Sequence, residues 1–305
     1  MKQTISIIGI PMDLGQKHRG VDMAPVAIRY AGLAQKLRDL GYTTVDKGNI
    51  NVPGHYTLSN TSYEERLIPI RHACEKAYAL GAEAVEKGEI PLFLGGDHSA
   101  AIGTIGGVTH NQPCGLVWVD AHGDFNTPET SRSANIHGMA LAVLLGRGSA
   151  ELVNIGRKGP KLLPENVIMI GVRDLDPDEK KMLAESGCTV YTMRDIDELG
   201  MHAILRKTLA KLAHLPNIHL SLDMDVVDPK EAPGVGTPSH GGLTYREAQL
   251  IMETICDSGK LQSVDVMEVN PILDTKNKTA QVAVSLLASL FGGKYLDTHS
   301  IVSCN

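Results

Sequence analysis

Eight short, β-rich apolar stretches separated by segments of helix length constrain this chain more than any other feature. They are TISIIGI (4–10), TTVDKGNI (43–50), IPLFLGG (90–96), GLVWVDA (115–121), VIMIGVR (167–173), CTVYTM (188–193), NIHLSLDMD (217–225) and QSVDVMEVN (262–270). Helical patterning covers 24–41, 62–88, 133–146, 177–187, 201–215, 244–258 and 278–292. Pro25 suits a first helical turn and Gly41 a stop. Ser62 with Glu65 three residues on forms a capping-box pattern. Strands alternating with helices predict a parallel sheet, and near-continuous apolar strands predict that both its faces are covered. An open doubly wound sheet and a closed eight-stranded barrel both satisfy this pattern. Either places functional groups at the C-terminal ends of strands.

A length of 305 residues allows one large α/β domain or two small ones. With no interior linker, low-complexity tract or short repeat, one domain spanning 1–305 is the simpler expectation. The polar stretch 50–62 reads as a surface loop. Hydrophobic residues at 43% and charged residues at 21% describe an ordinary globular chain. The net charge of −6, without any basic stripe, argues against a nucleic-acid partner. MKQTISIIGIPMD has too short an apolar run for a secretory signal, and no run approaches a membrane span. Cys74, Cys114, Cys188, Cys256 and Cys304 are odd in number and lack metal-ligand spacing, which predicts reduced thiols in a cytoplasmic protein.

Four of the apolar stretches run into ionisable residues. LFLGGDHS ends in Asp97 and His98, and VWVDAHGD in Asp120, His122 and Asp124. LSLDMDVVD ends in Asp223, Asp225 and Asp228, and VDVMEVN carries Glu268. Side chains at i, i+2 and i+4 of an extended strand share a face. Asp120, His122 and Asp124 are therefore expected on one side, as are Asp223 and Asp225. Carboxylates crowded in this way repel one another and lose hydration at severe cost unless a cation lies among them. A single aspartate of this kind is more commonly a cap. Three such endings on separate parallel strands point to a shared metal site. Oxygen donors with a minority of imidazole suit a hard or borderline divalent ion. His98, Asp120, His122, Asp124, Asp223 and Asp225 are too many for one ion with an open position, so two ions sharing carboxylates are expected. Mn²⁺ is the preferred metal, and the same donors suit Zn²⁺, Co²⁺ and Fe²⁺.

In their order, GGDHS, DAHGDFN, SLDMDVVDP and MEVNP resemble the motifs of the ureohydrolases. PMDLGQ, NTPETSRSANIHG, GVRDLDP and APGVGTP make the chain similar to the arginases in particular, over residues 4 to 292. The resemblance implies an open three-layer α/β/α sandwich with a central eight-stranded parallel sheet. It implies two Mn²⁺ ions, hydrolysis of L-arginine to L-ornithine and urea, and a homotrimer or homohexamer. One ion would be held by His98, Asp120, Asp124 and Asp223, the other by His122, Asp120, Asp223 and Asp225. A guanidinium carbon is a poor electrophile and neutral water a poor nucleophile, and two cations acidify a water lying between them. By the same resemblance Asp124 carries a proton to the departing amine and His137 is a proton shuttle. Glu268 grips the guanidinium through charge-assisted hydrogen bonds. Asn126, Ser133 and Asn135 match positions that hydrogen-bond the substrate α-carboxylate, and Asp176 one that meets the α-ammonium. Thr237 matches a residue near Glu268. Blander roles exist beside these: a polar loop for Asn126, Ser133 and Asn135, a helix cap for Asp176 and a helix start for His137.

Three positions depart from the family pattern. Val226 stands where many relatives have a small residue, and Ala24 precedes Pro25 where Gly is usual. His240 stands near the expected site entrance, where arginases often carry apolar residues. None of the three removes a ligand. The nearest alternative is another ureohydrolase such as an agmatinase, whose substrate has no α-carboxylate. A zinc deacetylase on a related scaffold needs one metal, and His98 and Asp225 exceed that need. A catalytically silent binding protein has no use for all six metal positions and Glu268.

Overall fold

A computed structural model of the chain describes residues 2–58 and 62–294. All eight expected strands form: β1 Thr4–Gly9, β2 Thr43–Asn49, β3 Ile90–Leu94, β4 Cys114–Val119, β5 Val167–Val172, β6 Thr189–Thr192, β7 Asn217–Asp223 and β8 Leu261–Met267. They make one sheet in the order β2-β1-β3-β8-β7-β4-β5-β6. Every neighbouring pair is parallel. β2 and β6 lie at opposite edges and do not pair with each other, so the sheet is open and the barrel is excluded. β2 is mostly exposed and carries Asp46 and Lys47, charges that protect an edge from pairing with another chain.

Alternation along the strands feeds two cores, one under each helical layer. Ile5, Ile7, Leu92, Val117, Val119, Ile168 and Ile170 enter one. Ile8, Phe93, Leu116, Trp118 and Met169 enter the other. This is the expected sandwich of a parallel sheet between helices. Two central strands depart from the apolar expectation. β7 and β8 bury His219, Ser221, Ser263 and Asp265. These groups satisfy one another: His219 Nδ1 lies 2.7 Å from Ser263 Oγ, and His219 Nε2 3.0 Å from Asp265 Oδ2. Ser221 Oγ donates to Asp265 Oδ1 at 2.6 Å and Thr104 Oγ1 to Asp265 Oδ2 at 2.6 Å. A polar seam is tolerated inside a core when its members are paired in this way.

Helices form at Tyr63–Glu86, Pro177–Ala184, Met201–Lys211, Tyr245–Ser258 and Lys278–Leu290, close to expectation. Ser62 Oγ accepts from Glu65 N, as the capping pattern predicts. The expected helix over 24–41 is instead two, Ala24–Tyr30 and Leu33–Asp39, because Gly32 between them takes φ +88°. Most of 133–146 is not α-helical. Ala134 sits at φ +56°, a 3-10 turn covers His137–Met139, and only Ala140–Leu144 forms an α-helix.

Three helices were not anticipated: Ala101–Val108, Ala150–Val153 and Met193–Leu199. The first hides behind three glycines, which are poor helix formers. A Cβ on Gly103 would stand 2.4 Å from Cys74 O, and one on Gly107 2.2 Å from Tyr78 O. The glycines let this helix lie directly against Tyr63–Glu86. The loop after β2 holds a short 3-10 turn, His55–Thr57. Residues 59–61 of that loop and most of the C-terminal tail, with Cys304, lie outside the described residues. Among those described, Cys74, Cys114, Cys188 and Cys256 are free thiols, and no helix is long and apolar enough to cross a membrane.

Candidate functional site

Strands β3, β8, β7 and β4 are neighbours at the middle of the sheet, and they are the four whose ends carry charge. Their register levels those ends. Leu94 aligns with Val266, Asp223 with Met267, and Val119 with Leu222. Asp120 and Asp223 therefore emerge side by side, with Glu268 one residue beyond β8. The extended-strand argument covers only part of the convergence. β4 stops at Val119, and Asp124 takes φ +48°. β7 stops at Asp223, and a 3-10 turn over Met224–Val226 carries Asp225. Glu268 takes φ +64°. Left-handed backbone at residues with a side chain is strained, and such strain gathers at functional sites.

The side chains close into two overlapping donor groups among the described residues: His98, Asp120 and Asp223, and Asp120, His122 and Asp225. Asp120 belongs to both. His98 Nδ1 lies 3.0 Å from Asp223 Oδ2, and 3.2 Å from both Asp120 Oδ2 and Asp124 Oδ2. His122 Nδ1 lies 3.0 Å from Asp225 Oδ2 and 3.6 Å from Asp120 Oδ1. Asp223 belongs only to the group with His98. Its Oδ1 accepts from Asp225 N at 2.8 Å.

Electrostatics follow the crowding. Burial opposes a charge on His98 and His122, but the surrounding carboxylates outweigh it and raise both imidazoles well above their ordinary range. Burial and then the Asp225 charge push the Asp223 carboxyl well up. Burial and then Asp120 push Asp124 up to about 6. Asp120 goes the other way: the His122 and His98 imidazoles outweigh its burial and lower it. Asp124 Oδ2 is buried and, although 3.2 Å from His98 Nδ1, makes no well-directed hydrogen bond. Oxygen-rich donors, two imidazoles and a carboxylate oxygen without a well-directed partner fit divalent cations.

Neighbours that the sequence reading did not assign hold these donors in place. Trp118 Nε1 donates to Asp120 Oδ2 at 2.9 Å, and its ring stacks on His98 with centroids 4.0 Å apart. Ser221 Oγ gives its proton to Asp265, so toward His98 Nε2, 2.9 Å away, it can only accept. Nε2 therefore carries a hydrogen, and Nδ1 faces the carboxylates. Fixing a tautomer through the far ring nitrogen is how metal-ligating imidazoles are commonly oriented. In HLSLD, His219, Ser221 and Asp223 alternate through a core strand, and that pattern was the available signal.

Glu268 is fully enclosed. Its Oε1 accepts from His98 N at 2.9 Å and lies 3.0 Å from His137 Nδ1, while its Oε2 accepts from Gln16 Nε2 at 2.6 Å. Burial would raise the Glu268 carboxyl, but His137 outweighs burial and lowers it. Loops join around this group. His137 N donates to Gly15 O, and Gly15 N to Asp97 Oδ2. Buried Arg66 donates to Leu14 O and Ala134 O. Asp97 is thus a structural cap, its side chain also accepting from Ser99 N at 3.1 Å. Asp228 likewise serves backbone, accepting from the N–H groups of Gly241 and Gly242.

The remaining predicted residues make separate contacts around the cluster. Asn126 Nδ2 donates to Asp176 Oδ2 at 3.2 Å, and Asn126 Oδ1 accepts from Thr130 Oγ1 at 2.9 Å. Asp176 also caps the helix Pro177–Ala184 in a capping box with Glu179. Glu179 accepts from Phe125 N and ties that helix to the loop after β4. Ser133 is exposed, and its Oγ accepts from Asn135 N at 3.2 Å. Asn135 Oδ1 is buried without a partner. Thr237 Oγ1 donates to Asp225 Oδ2 at 3.1 Å, which places it against the metal-type cluster. Val226 is accommodated because Gly171 has no side chain: a Cβ there would meet Val226 Cγ2 at 2.4 Å. Ala24 is buried at its helix start, and His240 is an exposed loop residue.

The Arginase family profile matches residues 3–292. The arginase of Bacillus subtilis (strain 168) is 51% identical over 297 residues, covering 97% of this chain and 100% of that protein. The crystal structure of Bacillus caldovelox arginase superposes with a TM-score of 0.94 at 49% identity, covering 97% of this chain and 100% of that one. Entamoeba histolytica arginase, solved in complex with L-ornithine, superposes at 0.87 with 29% identity, covering 95% and 99%. The motifs at the ends of β3, β4, β7 and β8 thus sit in a chain similar to arginases from end to end, and the chain belongs to the arginase family.

Proposed function

We propose that this chain hydrolyses the guanidinium of L-arginine to L-ornithine and urea, using two Mn²⁺ ions. The observation that carries this reading is the pair of His-carboxylate groups sharing Asp120, set beside the enclosed carboxylate of Glu268. His98, Asp120, Asp124 and Asp223 would hold one ion, and His122, Asp120, Asp223 and Asp225 the other. When bound, the ions supply an acidified water as nucleophile.

The chain's own groups supply the rest. Glu268 draws the positively charged head toward the cluster by charge-assisted hydrogen bonds. Asp124, whose Oδ2 makes no well-directed hydrogen bond, takes up a proton and returns it to the departing amine. His137 exchanges protons at the rim, since burial is outweighed by Glu268 and its imidazolium is held to about 9. Asn126, Ser133 and Asn135 meet the α-carboxylate, and Asp176 meets the α-ammonium. The unpartnered Asn135 side chain and the contact between Asn126 and Asp176 support these roles. Thr237 fixes Asp225 beside the entering head. A site built to pair a carboxylate discriminates against a substrate that lacks one.

A parallel assay of arginine and agmatine with metal content measured tests the reading. Arginine turnover that a chelator abolishes and Mn²⁺ restores is expected, with agmatine a poor substrate. Equal turnover of agmatine would refute it. We further read residues 1–305 as one cytoplasmic catalytic unit assembling as a homotrimer or homohexamer. Light scattering on the purified chain tests the assembly.

A further inference from the structure

We infer that Gln16 is a guanidinium-binding residue, its buried side-chain carbonyl accepting an N–H of the substrate head beside Glu268. The inference rests on the arginine-hydrolase reading above. Gln16 is wholly buried, and its Nε2 donates to Glu268 Oε2 at 2.6 Å. A carboxylate only accepts, so the amide nitrogen must face it and Oε1 must face elsewhere. Oε1 has no hydrogen-bond partner. Buried amide oxygens are rarely left in this state, because the lost hydration is not recovered.

Two further observations show what it awaits. A Cβ built on Gly236 would lie 2.8 Å from Gln16 Oε1 and 3.5 Å from Glu268 Oε2. Gly236 therefore packs closely against Gln16 Oε1 with Glu268 Oε2 beside it, and a side chain there would be driven into the unpartnered oxygen. The next residue, Thr237, bonds Asp225, so this segment links Gln16 and Glu268 to the metal-type cluster. Glu268 cannot satisfy the head alone. A carboxylate offers about four lone-pair sites. His98 N, His137 and Gln16 engage three of them. A guanidinium carries five N–H donors. The head therefore needs further acceptors, and Gln16 Oε1 is an unused one beside Glu268.

The Mn²⁺-loaded protein tests this with two variants, Gln16→Met and Gly236→Ala. The first removes the acceptor and the second drives a methyl group against it. Each should lower kcat/KM for arginine about 10- to 100-fold, mainly through KM. Binding of norvaline, which has the amino-acid end and no guanidinium, should change by less than about 2-fold when measured by calorimetry. Metal content should be unaltered. A loss for norvaline parallel to that for arginine would mean that Gln16 only shapes the pocket, and would overturn the assignment. So would arginine kinetics unchanged in both variants. Failure of the unmodified protein to hydrolyse arginine would reject the underlying function instead.

Discussion

His137 Nδ1 lies 3.0 Å from Glu268 Oε1, an ion pair between residues 131 positions apart in the chain. Burial works against the imidazolium, and the carboxylate overcomes it, holding His137 to about 9. Removing the carboxylate by Glu268→Gln leaves burial as the leading influence. In the metal-free protein the His137 ring should then titrate well below 9, as read by NMR. An unchanged titration would contradict the pairing. Because the folded value lies above the unfolded value of about 6.5, the pair stabilises fully below that pH and loses its contribution as pH rises through about 9. The stability advantage of the unaltered protein over the variant should shrink across this window in urea titrations.

Metal uptake should expel protons. In the metal-free site, His98 and His122 are raised by the carboxylates around them, so protons stand in for cations. A metal needs the Nδ1 lone pairs and must displace those protons. Calorimetric titration with Mn²⁺ at pH 7 should give heats that depend on the ionisation enthalpy of the buffer. Buffer-independent heats would show that the imidazoles were already neutral.

Asp120→Asn should empty both metal positions, because Asp120 is the carboxylate common to the two donor groups. Activity should fall by on the order of 100-fold or more, beyond the usual loss for an outer contact. Asp228→Asn is the matched control, since Asp228 follows the same kind of strand end but serves backbone N–H groups. Elemental analysis should show metal lost in the first variant and retained in the second. Full occupancy in Asp120→Asn would remove the basis for a shared ligand.

Gly103→Val should destabilise the fold by about 3 kcal/mol. Its side chain would be driven into the Cys74 backbone, which a Cβ already meets at 2.4 Å. The urea midpoint reads this directly. A midpoint equal to that of the unaltered protein would mean that the helices do not lie against each other as described.

The donors His98, Asp120, His122, Asp124, Asp223, Asp225 and Glu268 were legible because charge at the end of an apolar run is conspicuous. Their supports were not. Trp118 and Ser221 look like ordinary core-strand residues until their partners are known, and Arg66 and Gln16 act on loops far away in the chain. The helix Ala101–Val108 was hidden because its glycines answer to a neighbouring backbone, not to helix propensity.

Local chemistry in the sequence determined that strands alternate with helices, that both sheet faces are covered, and which side chains could hold cations. Those features follow from periodicity and residue type over a few positions. Tertiary structure decided that the sheet is open and that β8 and β7, the last strands made, fill the gap between β3 and β4. It also set the left-handed turns at Asp124 and Glu268 that bring the carboxylates together. Strand order rests on pairings between segments more than a hundred residues apart, and no local pattern records which distant edge a strand will find.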